Sequence, residues 1–238
     1  MKHLPKIILF ITLLFGNDLF GQIPTPQKAP CPSGLGAWYM YFVDHQFKES
    51  KWGFQSDIQH RNFDLGGDMQ QIMLRGGITY RPENTKVKLT LGIASITGGE
   101  FGDGKSKTSE TRVYQEAIIP NKIGNRLYLN HRFRYEQRFM GNDDFRTRYR
   151  YAAFLNLPLN SIKIEKKTIY LALYNELFIN GQQVLNNGNT VPVFGANRTY
   201  AALGYGLKDN LKIQIGVMRQ SNSSCYKDQL QLSLHHKL

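Results

Sequence analysis

From Gly34 onward apolar and polar residues alternate with a period of two, in segments of about ten residues separated by turn-forming residues. That period belongs to extended strands, whose successive side chains point to opposite faces. In KWGFQSDIQHR, Trp52, Phe54, Ile58 and His60 share one face, and Gln55, Asp57, Gln59 and Arg61 the other. The next segment sets Ile72, Leu74, Ile78 and Tyr80 against Gln71, Arg75, Thr79 and Arg81, and the following one sets Val87, Leu89, Leu91 and Ile93 against Lys88, Thr90 and Gly92. The alternation is clearest in RLYLNHRFRYEQRF, where Leu127, Leu129, Phe133, Tyr135 and Phe139 oppose Arg126, Asn130, Arg132, Arg134, Glu136 and Arg138. FRTRYRYAAF repeats it with Phe145, Tyr149 and Tyr151 opposite Arg146, Arg148 and Arg150. At the C-terminal end Leu211, Ile213, Ile215 and Val217 oppose Lys212 and Gln214, and Leu230, Leu232 and Leu234 oppose Gln231, Ser233 and His235. No helical period competes, so the fold class is all-β.

Two kinds of barrel fit such strands. A soluble, lipocalin-like ligand carrier turns its apolar face inward and its charged face to water. A membrane barrel does the reverse. The membrane version is favoured by arginines with glutamate partners on the polar face, by tyrosine and tryptophan near strand ends, and by strands long enough for a tilted crossing, about 9–11 residues. The expectation is a single antiparallel, up-and-down transmembrane β-barrel over residues 34–238. Short connections at 81–85, 120–125 and 207–210 read as turns at one end, and 97–109 and 180–197 as long loops at the other. Counting strands between them gives about eleven, whereas a closed antiparallel barrel with both ends on one side needs an even number. About twelve strands are therefore expected, or ten if two segments are loops. Otherwise the stretch before Gly34 threads the lumen and enters the first strand from the far side. Pro24, Pro26, Pro30 and Pro32 make that stretch a poor strand.

Ahead of it, Lys2 and Lys6 precede the apolar run Ile7 to Phe15, the pattern of a secretory signal peptide ending near Gly21. The run is too short for a spanning helix. Residues 1–21 are thus expected to be a signal peptide and 22–33 a Pro-rich segment, with the outer membrane of a Gram-negative cell as destination. Export makes nucleic acid an improbable partner for the net charge of +12. The charge is better matched by lipopolysaccharide phosphates, outer-membrane lipid or a small anionic solute. In an oxidising compartment a disulfide between Cys31 and Cys225 is allowed, and the sequence leaves the pairing open.

The segments LGAWYMYFVDHQF, QHRNFDLGGDMQQIMLRGGITY, HRFRYEQRF with FRTRYRYAAFLNLPL, YNELFIN, and NRTYAALGYGLKDNLKIQIGVMRQ carry a family resemblance. Over nearly all of the chain after the signal sequence they resemble the uncharacterised family of domain of unknown function 2490, predicted outer-membrane barrels. The resemblance implies a barrel and supplies no function.

The strongest chemical candidate is the arginine hairpin. Arg132, Arg134, Arg138, Arg146, Arg148 and Arg150, with Glu136 and Glu176, would project into the lumen and bind or pass an anionic solute. The competing explanation is structural: charges inside a small barrel pair to fill it, and Asp57, Glu116, Glu136 and Glu176 are available. Ser233 and His235 form an S-x-H pair that a lipid-modifying barrel enzyme would use, although both also fall on the wet face of one strand. His235 and His236 are adjacent and point to opposite faces, the other histidines are scattered, and neither metal nor cofactor is expected. Trp38, Tyr39, Tyr41, Trp52, Tyr128 and Tyr149 suit an interfacial girdle. No catalytic set emerges, and the expected role is non-enzymatic: envelope or surface interaction, or passage of a small solute.

Overall fold

The computed structural model of the chain describes residues 31, 34–102, 104, 106–141, 144–185 and 188–238. The signal peptide expected at 1–21 and all of 22–33 except Cys31 lie outside the described residues. Eleven strands follow: β1 (Gly36–Gln46), β2 (Trp52–Asn62), β3 (Met69–Tyr80), β4 (Lys88–Gly99), β5 (Lys107–Ile123), β6 (Leu127–Met140), β7 (Asp144–Pro158), β8 (Ile169–Asn180), β9 (Phe194–Lys208), β10 (Leu211–Ser221) and β11 (Tyr226–Lys237). Each pairs with its chain neighbour, and β1 closes the sheet on β11.

The parity conflict resolves at that seam. In an up-and-down barrel successive strands reverse direction, so an odd number puts the first and last strands parallel. β1 and β11 do run parallel, with Tyr39 opposite Leu232 and Phe42 opposite His235. The barrel therefore has eleven strands, between the expected ten and twelve, and it is antiparallel everywhere except at this closure. Consequently β1 begins at the end opposite the C-terminus. There Cys31 is disulfide-bonded to Cys225, Cα–Cα 5.2 Å, and its amide donates to the Tyr226 carbonyl at 2.7 Å. Whether residues before Gly34 thread the lumen falls outside the described residues.

The end carrying Leu238 also carries the connections 47–51, 81–87, 124–126, 159–168 and 209–210; we call it the turn end. The opposite, loop end carries 63–68, 100–106, 141–143, 181–193 and 222–225. The turns and long loops expected from sequence thus sort correctly onto two ends. Their limits differ, because Gly99 pairs with Lys107 and Pro120 with Asn130, so strand pairing consumes residues read as loop.

The two faces are as the alternation predicts. Ile78, Leu91 and Val217 point outward, 61 %, 60 % and 59 % exposed, among many other large apolar side chains. Gln59, Arg75, Glu116, Arg134, Glu136, Arg150 and Glu176 point inward and are buried. The interior has two halves. Trp38, Tyr170, Ala172, Tyr200, Ala202 and Met218 pack together on β1 and β8–β10, and the ionic residues concentrate on β5–β8. Two glycines make room for rings lying against the wall. A Cβ on Gly204 would stand 2.2 Å from the Tyr170 ring, and one on Gly92 2.3 Å from that of Tyr114.

Candidate functional site

Cross-strand register turns the alternating Arg and Glu of single strands into a lattice. Glu116 on β5 faces Arg134 on β6, Glu136 on β6 faces Arg148 on β7, and Glu176 on β8 faces Arg198 on β9. Arg134 Nε donates to Glu116 Oε2 at 2.7 Å. Glu136 accepts from Arg148 Nη2 and Arg150 Nη1, each at 2.6 Å. Glu176 Oε1 accepts from Arg150 Nε at 2.8 Å and from Arg132 Nη2 at 2.5 Å. These charge-assisted contacts satisfy groups that would otherwise be costly to bury.

The expected site residues divide accordingly. Arg132, Arg134, Glu136, Arg148, Arg150 and Glu176 form one network, with Arg150 4.5 Å above the Phe178 ring. Nearer the loop end, Arg138 pairs with Glu110, which also takes Arg112, and Arg146 pairs with Asp144. Every arginine of the hairpin therefore has a carboxylate. Asp57, expected among their partners, is held by Arg75 instead at 2.8 Å.

A cavity of about 940 Å³ occupies the lumen beside this network and extends to the turn end, where Arg81, Lys88, Lys212, Lys237 and His235 line it. Arg61, Lys212 and Lys237 line it and form no ion pair among the described residues, whereas Arg148 and Arg150 are neutralised by Glu136 and Arg112 by Glu110. Sequence reasoning missed the residues that give the cavity an incompletely neutralised region. Trp38, expected in the outer girdle, points inward and is 4 % exposed, whereas Trp52 and Tyr149 do lie outside. Arg61 and Arg198 stand against the Trp38 ring, 3.8 and 4.9 Å from its centroid.

Ser233 and His235 also face the lumen, with Ser233 Oγ 2.9 Å from His235 Nε2 and the imidazole stacked on Phe42 at 4.8 Å. No carboxylate bonds that imidazole among the described residues, so a nucleophile and a base meet without the group that orients a base. His131 and His60 face outward, and His131 Nδ1 lies 2.8 Å from the Tyr151 hydroxyl. Among the described residues no three potential metal ligands converge. In the 63–68 loop the backbone amides of Gly67, Asp68 and Gly66 hold the Asp64 carboxyl below its ordinary range, which pins a tight turn.

The chain matches a family model described as a protein of unknown function (DUF2490) over residues 35–231, from the entry of β1 to the middle of β11. No curated protein matches it.

Proposed function

Since the chain belongs to the DUF2490 family, whose description names no activity, its function has to be read from the barrel, and we propose a non-enzymatic outer-membrane protein whose lumen takes small anionic solutes from the turn end. The observation that carries this reading is the inversion of the two faces. Water-facing sheets bury their apolar side, yet here Ile58, Leu74, Ile78, Leu91, Ile93, Leu203, Ile215 and Val217 stand outward and exposed. Soluble monomers rarely leave a contiguous apolar patch of more than about a few hundred Å² open, whereas these side chains stand on the neighbouring strands β2–β4 and β9–β10. Closure of the sheet satisfies the backbone around the ring, the condition for crossing a bilayer with strands. The soluble carrier requires the opposite distribution and is disfavoured on the same ground. Lipid and lipopolysaccharide would be the partners of the apolar belt and of the loop end.

The cationic excess of the lining supports the choice of anions, because fixed charge in a low-dielectric cavity concentrates counter-ions. Reconstituted into a planar bilayer under a salt gradient, the protein is expected to carry a current whose reversal potential reports anion selectivity. A cation-selective current would contradict the reading, and absence of current would exclude passage and leave binding alone. One observation favours a hydrolase, the Ser233–His235 hydrogen bond. Loss of an esterase activity in a folded Ser233→Ala protein would be its signature.

A further inference from the structure

Within the lumen, and resting on the reading that it admits anions, we propose a specific organic-anion site in which Arg61, Arg198 and Trp38 hold a carboxylate or phosphate head and the aromatic half of the lumen holds an apolar body. The hairpin arginines are not the groups in need of a ligand, because each is already paired with a carboxylate. Arg61 is different. It is 8 % exposed, and its hydrogen bonds go to neutral amides, Gln59 Oε1 at 2.6 Å and Gln71 Oε1 at 2.8 Å. Through Gln59 the chain of bonds leads to Asp57, which Arg75 already occupies. A buried guanidinium without an acid is normally disfavoured, since its desolvation is not repaid.

Arg198 is better neutralised than Arg61, but it shares its acid: Glu176 already accepts hydrogen bonds from Arg132 and Arg150. Arg198 Nε donates to Gln220 at 2.7 Å, and the nearest carboxylate oxygen, Glu176 Oε2, lies at 3.7 Å, beyond hydrogen-bonding distance. The two like charges flank one indole, and their attraction to its face offsets only part of the cost. The second observation is the indole itself. Trp38 Nε1 is a buried donor without a hydrogen-bond partner among the described residues, on a residue lining the cavity. A donor left open beside two under-neutralised cations describes an acceptor of negative charge. The adjoining wall of Met40, Tyr170, Ala172 and Tyr174 is largely apolar, which favours an organic anion over a bare inorganic one.

The test uses the full folded protein in nonionic detergent with Trp52→Phe, so that tryptophan emission reports on Trp38 alone, titrated with 4-phenylbutyrate. A saturable change is expected, weakened at least about tenfold by Arg61→Gln and by Arg198→Gln, consistent with loss of a charge-assisted hydrogen bond. The neutral amide 4-phenylbutyramide and the bare anion acetate should each bind at least about tenfold more weakly. Unheated gel mobility identifies which variants are folded, and if Arg61→Gln is not, Arg198→Gln carries the test. No saturable change, equal affinity in the folded variants, or an amide or acetate as tight as phenylbutyrate would overturn the site. An anion-selective current without this binding would sink the site and leave the broader reading standing. Binding in a protein that does not enter membranes would do the reverse.

Discussion

Replacing Glu136 by Gln is expected to lower the unfolding free energy by about 3–5 kcal/mol, the range for removing one partner of a buried ionic cluster. Glu136 is 1 % exposed and accepts from Arg148 and Arg150, with Arg134 at 3.7 Å. Glutamine keeps the volume, so no cavity contributes. The three arginines are not affected alike, because Arg150 retains Glu176 and Arg134 retains Glu116, whereas Arg148 pairs with no other carboxylate among the described residues. The damage should therefore concentrate on Arg148, and the double variant Glu136→Gln/Arg148→Met should recover a large part of the loss. Asp228→Asn, breaking the exposed Arg219 pair on the outer face, serves as the contrast at about 0–1 kcal/mol. Equilibrium urea unfolding in micelles measures all three, and a Glu136→Gln cost below about 1 kcal/mol would show that the network does not hold the barrel together.

The second large effect is expected outside the barrel. Ile93 lies in the middle of β4, opposite Gly76, with Leu91 on the same outward face. In a bilayer, Ile93→Arg should cost about 2–4 kcal/mol, the penalty of an arginine near the midplane of a barrel's lipid face. Against water the same substitution at an exposed site would stay within about 0.5 kcal/mol. Urea titrations of protein folded into phospholipid vesicles separate the two, and a cost near zero would argue that this face meets solvent.

The faces of most strands were legible in the sequence because charged and apolar residues alternate there, as in Arg132, Arg134, Glu136 and Arg138 against Phe133, Tyr135 and Phe139. Strand number and closure were not. Parity depends on whether β1 and β11 run parallel, a pairing between opposite ends of the chain that no local period encodes. That seam also settles the cysteine pair, since it carries Cys31 to the β10–β11 connection. Trp38 was misplaced because GAWYMYFVDHQ has large side chains in both phases, so neither face of β1 stands out as apolar. Arg61 was legible as inward-facing but not as lacking an acid, which only cross-strand neighbours decide. Glu110 went unnoticed as the partner of Arg138 because its strand begins inside the segment read as a loop.

The proposed outer-membrane location of this eleven-stranded barrel is open to a direct test. Expression with the signal sequence, isolation of the outer membrane, and comparison of unheated and boiled samples on a gel tests it most directly. The account predicts a band in the outer-membrane fraction that shifts mobility on boiling. A soluble periplasmic protein whose mobility does not change on boiling would contradict it.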